Sequence, residues 1–199
     1  MDLEKLDDGG APRLGEPPAI ELANTAYAVR GRATDGLRTT EHLTAWLRDL
    51  RSRLAIRLTD TDLRGVTDDD LRRARELRDA IRALAAAHAG GSEPDPTAVA
   101  TVNHHARRAP RWRELRTGPE PHLVTATAGR PVDAALAELA EDAITLFAGP
   151  ARHELRACQG PGCVLHFVRD TPRREWCSAG CGNRARAARH YARTRRAAT

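Results

Sequence analysis

The chain has 199 residues, with 32 Lys and Arg against 27 Asp and Glu, a net charge of +5. It is 41% hydrophobic with few aromatics, and no apolar run approaches the roughly 20 residues that cross a bilayer. The opening MDLEKLDDGG has neither the basic start nor the apolar stretch of a secretory signal, so a cytoplasmic, non-membrane protein is expected, one domain plus a small appendix.

Charge is unevenly spread. Lys5 is the only lysine, so 31 of the positive charges are arginines, the side chain best matched to carboxylate and phosphate. From residue 151 onward eleven arginines face three acids, a local +8, which leaves −3 for residues 1–150. A mildly acidic body is followed by a strongly basic tail, and all four cysteines lie in that tail.

Residues 1–17, with Gly9-Gly10 and Pro17-Pro18 at its end, read as a flexible leader. Residues 19–23 are a short strand or the start of a helix. Leu43, Trp46, Leu47 and Leu50 recur at helical spacing after Thr40, which predicts a helix ending near Ser52. Thr67 is a good N-cap, Asp68, Asp69 and Asp70 complement the positive end of a helix dipole, and Gly90-Gly91 stops that helix. Asp95 and Pro96 open another, with Val99, Val102 and Ala106 inward. Trp112–Arg116 and Leu123–Thr127 flank a turn and predict a β-hairpin. Pro131 opens a long apolar-faced helix that closes at Gly149-Pro150, where the charge also changes.

The cysteines read C-x4-C-x13-C-x3-C, at Cys158, Cys163, Cys177 and Cys181. Two close pairs suit one tetrahedral zinc, each pair supplying two thiolates from a tight turn. Two disulfides or four ordinary thiols are the alternatives, and a reducing compartment disfavours the first. Four thiolates leave no open coordination position, so the expected ion is one structural Zn2+. Residues 164–168 are strand-like and 173–176 return, giving a hairpin between the pairs. Ser178 is the N-cap of a helix carrying Cys181, a treble-clef-like arrangement.

Trp176, Cys177-Ser178-Ala179 and Cys181-Gly182-Asn183-Arg184, with Phe167 and Asp170 before them, resemble the CGNR-type zinc finger. Asp170 stands three residues after Phe167, where many members have it two after. Upstream, Ala19–Thr25, Arg30 or Arg32, Leu37, Trp46-Leu47 and Leu77-Arg78-Asp79-Ala80 resemble the ABATE domain usually found ahead of this finger. The resemblance implies a stress-induced bacterial transcription regulator that binds DNA.

Beyond the last ligand, Arg184, Arg186, Arg189, His190, Arg193, Arg195 and Arg196 follow with no acid among them. Ala185, Ala188 and Ala192 continue the face of Cys181 and are expected to pack inward, leaving the arginines outward. Such like charges repel on an isolated helix, and a phosphate-rich partner relieves that. DNA is the expected partner. RNA, an acidic protein partner and self-docking onto the acidic body are the alternatives.

In the body, Asn24, Thr25, Arg30 and Arg78 are either a pocket for a small anionic effector or a helix cap and internal ion pairs. His104-His105 point apart on a helix, and no nucleophile or phosphate-loop motif accompanies them, so no enzyme is expected. The sum is an α+β chain: a mainly helical body, residues 18–150, with a small β-hairpin, then a zinc finger, residues 151–199. A single short finger reading an operator implies a homodimer through the body.

Overall fold

Capping chemistry sets the helix ends in the computed structural model, which describes residues 10–197, with side chains as far as 195. Helix α1 spans Pro18–Ala23 and opens on proline, which presets the first-turn φ. A helix rather than a strand forms here because all of Ala19–Ala23 then enters the interior. Helix α2 (Thr40–Leu50) is capped by Thr39 and buries Leu43, Trp46, Leu47 and Leu50. Helix α3 (Asp60–Arg64) is short, and α4 runs the full Asp68–Gly90, ended by Gly91 at φ +70. Helix α5 covers Pro96–Arg107 and α6 covers Pro131–Ala148.

Two strand pairs belong to the body. β1 (Ala26–Val29) pairs antiparallel with β2 (Arg32–Asp35), Val29 opposite Arg32. The sequence reading contains no hairpin there. Its two-residue turn needs left-handed backbone at both positions, and Arg30 (φ +49) supplies it without the Asn-Gly or Asp-Gly that signals such a turn. β3 (Arg111–Arg116) and β4 (His122–Thr127) form the expected second hairpin.

Helices α1, α2, α4, α5 and α6 enclose the main core, in which Leu43, Leu47, Leu77, Ile81 and Leu139 are wholly buried. On α5 the inward face differs from expectation by one residue. Ala98, Val102 and His105 are buried, while Val99 is exposed. The Asp95 cap sets the phase of the first turn, and packing against both α4 and α6 then selects that face.

The three aspartates opening α4 do more than complement a dipole. Thr67 and Asp70 form a reciprocal capping box, satisfying two otherwise unpaired N–H groups. Asp70 has no exposed side-chain surface and takes a bidentate grip from Arg130 at 2.9 and 2.7 Å, plus a close bond from buried Arg73. Burial opposes charge on Asp70, yet bonds from Arg130 and Thr67 outweigh it and hold the carboxyl below its ordinary 3.8.

Residues 10–17, assigned to the leader by composition, lie against the fold, whereas residues 1–9 fall outside the described residues. Pro12 and Glu16 are buried, and the Glu16 N–H donates to the Glu21 carboxylate at 2.8 Å. No described helix is long and apolar enough to cross a membrane.

Asp70→Ala removes the buried carboxylate that Arg73 and Arg130 share, leaving them Asp133, and is expected to cost about 3 kcal/mol in urea unfolding at neutral pH. Because the folded carboxyl titrates below its unfolded value, its contribution is complete above that value and is lost as pH falls through the folded one. The gap between wild type and Asp70→Asn should therefore close in acid.

Candidate metal centre and nucleic-acid interface

The first cysteine pair sits at the tip of a two-stranded ribbon. β5 (Leu155–Ala157) pairs antiparallel with β6 (His166–Val168), and the Cys158 N–H donates to Leu165 O at 2.9 Å. Cys163 closes the knuckle by donating its N–H to Gly160 O at 2.9 Å. Glycine at 160 is required by space, since a Cβ there would stand 2.9 Å from the Cys181 Cβ. The partner of β6 therefore lies before the first cysteine. The expected returning strand at 173–176 does not form; the chain turns instead, with Arg174 N–H on Thr171 O, beside a proline that cannot serve a ladder.

The second pair comes from the start of α7 (Ala179–Ala197). Ser178 Oγ accepts the Cys181 N–H at 3.3 Å, the expected cap, and so fixes Cys181 in the first turn facing the knuckle. All four sulfurs then lie within 4.8 Å of one another, with Cys163–Cys177 at 3.8 Å and Cys177–Cys181 at 3.4 Å. A tetrahedron with Zn–S bonds of ~2.3 Å has edges of ~3.8 Å, so the cluster matches one zinc.

Without a cation the four thiols cannot all ionise together. Hydrogen bonding among them pushes Cys181 and Cys158 down and pushes Cys163 and Cys177 up, dividing the cluster into thiolates and thiols. Zinc removes that division by neutralising part of the charge. The remainder meets N–H donors: Gly160 N at 3.5 Å and Cys177 N at 3.4 Å on the Cys158 sulfur, and Arg184 Nη2 at 3.0 Å on the Cys181 sulfur.

Each residue from Cys181 to Arg184 has a separate task. Cys181 is a ligand, and Arg184 donates to its sulfur. A Cβ on Gly182 would stand 3.0 Å from the Trp176 ring, so any larger residue there pushes the ring away from the helix start. Asn183 Oδ1 accepts from Arg186 at 2.5 Å, and the Arg186 and Arg189 guanidinium groups stand over the Trp176 ring at 5.7 and 5.9 Å.

The model of the ABATE family, described as "Putative stress-induced transcription regulator", matches residues 16–150, and the CGNR zinc finger model matches residues 154–194. The chain belongs to the ABATE family. Its carboxyl-terminal part is a CGNR zinc finger with one structural Zn2+ on Cys158, Cys163, Cys177 and Cys181. No curated protein matches the chain.

In this ABATE–CGNR chain the finger does not have a core of its own. Tyr27 of β1 is buried in one cluster with Cys158, Leu165, Phe167, Cys177 and Cys181. The Asn24 side chain makes two bonds to the His166 main chain, at 2.8 and 2.9 Å, as a neighbouring strand would. Glu16 accepts the Val168 N–H at 2.8 Å and pairs with Arg174, which covers the Phe167 ring at 4.8 Å. Asp170 is exposed and touches Arg174 only at 3.7 Å. The sequence reading gave Glu16 and Arg174 no role, because neither stands in a motif.

The basic helix departs from expectation in one respect. Ala185 packs inward, but Ala188 and Ala192 are exposed, as is every residue from 186 to 195. The helix outruns the small finger and projects past it. Arg186, Arg189, His190, Arg193 and Arg195 are all solvent-facing, Arg184 is partly engaged by the sulfur, and the Arg196 side chain lies outside the described residues. Elsewhere in the tail Arg169 pairs with Glu154 and Arg174 with Glu16, whereas α7 carries its arginines with no acid on the helix itself.

The four candidate effector residues do not share a cavity. Asn24 is spent on His166 and Thr25 Oγ1 donates to Leu22 O, both side chains fully buried. Arg78 pairs with Asp35 at 2.6 Å and Asp79 at 2.8 Å. Arg30, at the β1–β2 turn, borders a small hollow with Arg184.

Metal analysis is expected to find one zinc per chain. Replacing Arg184 by Gln removes the donor on Cys181 and should weaken zinc by about 10- to 100-fold in competition with a chromophoric chelator. Gly182→Ala should displace Trp176 and raise its fluorescence accessibility to quencher.

Proposed function

We propose that this protein is a zinc-dependent DNA-binding transcription regulator in which α7 engages DNA. The observation that carries the reading is the exposed stretch 186–195, which bears four arginines and no acid. It stands clear of the acidic body instead of folding onto it, which removes support from self-docking. Zinc anchors the root of the helix, and Trp176 together with Asn183 restrains Arg186 and Arg189, so less side-chain freedom is lost on meeting phosphate. The family description agrees with this reading.

The body dimerises and responds to a small ligand in this proposal, and the chain works in the cytoplasm with no catalytic role. Dimerisation is supported by the β3–β4 hairpin, which exposes Trp112, Leu115 and Leu123. Leu115→Asp with Leu123→Asp should convert a dimer to monomer in sedimentation while leaving zinc content unchanged.

Titration of duplex DNA at several salt concentrations tests the helix. Affinity should fall with salt, and each phosphate-contacting arginine removed (Arg186, Arg189 or Arg193→Ala) should lower the log–log slope by about 1. Salt-independent binding, or affinity that survives all three substitutions, overturns the assignment. Tighter binding to single-stranded RNA or an acidic polypeptide in the same assay would select those partners instead.

A further inference from the structure

We propose that the cavity between the β1–β2 hairpin and the zinc knuckle binds a small organic carboxylate through Arg82. The cavity measures about 570 Å³, within the ~300–1,000 Å³ usual for small-molecule sites. Tyr27, Ala28 and Ala33 line it from the hairpin, and Gly162, Cys163 and Val164 from the knuckle. Arg82 reaches it from α4.

Arg82 is half-buried, and its Nη1 donates to two main-chain carbonyls, Ala23 O at 3.1 Å and Ala26 O at 2.8 Å. Those bonds fix the guanidinium without neutralising it. Among the described residues no carboxylate lies within ion-pair distance of it, and its Nε and Nη2 have no acceptor. Burial and the nearby charge of Arg78 lower its pKa, opposed by the more distant carboxylate of Asp79. Its unbonded nitrogens open onto the cavity, so a carboxylate entering there meets donors that are already held in place.

Asp35 also borders the cavity but is already taken. It accepts from Arg78 at 2.6 Å and from the Leu37 N–H at 2.8 Å. Its charge discourages a dianion, and a single arginine fork matches one carboxylate. The remaining walls are short and largely apolar, which suits a compact hydrocarbon body. An occupant would touch Cys163, a zinc ligand, and Tyr27, which packs among the other three. Ligand binding would thus be felt at the root of α7.

This assignment deepens the ligand-sensing part of the proposed function, and its test needs no DNA, so the two readings fail separately. The zinc-loaded full chain is titrated calorimetrically with benzoate and hexanoate, with benzamide and hexanol as uncharged counterparts. At least one acid should bind saturably at one site, and its neutral counterpart should not. Arg82→Gln should weaken binding by about ten- to hundredfold. Ala33→Trp, at an exposed wall position, should abolish it with melting temperature and zinc content unchanged. Absence of saturable binding by both acids, equal binding of the neutral molecules, or binding that survives both substitutions overturns the proposal.

Discussion

Four cysteine sulfurs brought within 4.8 Å of one another can all be thiolates only when a divalent cation offsets their charge. The knuckle of β5–β6 and the first turn of α7 are joined chiefly through the four sulfurs, since the strands are three residues each and the apolar cluster beside them is small. Zinc binding is therefore folding energy for this part of the chain. The residues around it follow from the same constraint. Gly160 leaves room for Cys181, Gly182 leaves room for Trp176, and Arg184 with the Gly160 and Cys177 amides disperses the charge that zinc does not cancel.

The metal cluster also depends on the body. Tyr27 fills the space beside the sulfurs, Asn24 completes the backbone pairing of His166, and the buried Glu16 carboxylate receives Val168 N–H and Arg174. Burial pushes the Glu16 carboxyl up, against the bonds from Val168 and Arg174 that favour its charge. A group so placed is costly unless every partner is present, and its partners come from the finger. The seating of the finger at the root of α7 thus depends on residues 16–27, more than a hundred residues earlier in the chain.

Much of this was legible in the sequence because its signals are local. Thr67 with Asp70, Asp95 with Pro96, and the paired cysteines act over five residues or fewer, and each element they announce is present. The β1–β2 hairpin was not legible, because Arg30 adopts a left-handed conformation that closing the two-residue turn requires and its side chain does not advertise. The partner of β6 was misassigned for a related reason. Both flanking segments are short and weakly patterned, and which one pairs is decided by where Cys158 must sit. On α7, helical periodicity placed Ala188 and Ala192 inward, but periodicity says nothing of how far the surface they would pack on extends.

The amino-acid sequence by itself determined the four longer helices of the body, α2, α4, α5 and α6, the four-thiolate metal set and the concentration of arginine on the last helix, since all three are written in nearest-neighbour chemistry. Tertiary structure alone decided that the finger shares its core with the body, that Glu16 and Arg174 join them, and that Arg82 faces a cavity without a counter-ion. Those features depend on groups separated by tens to more than a hundred residues. Burial and charge pairing act through space, and no spacing rule along the chain encodes which distant groups will meet.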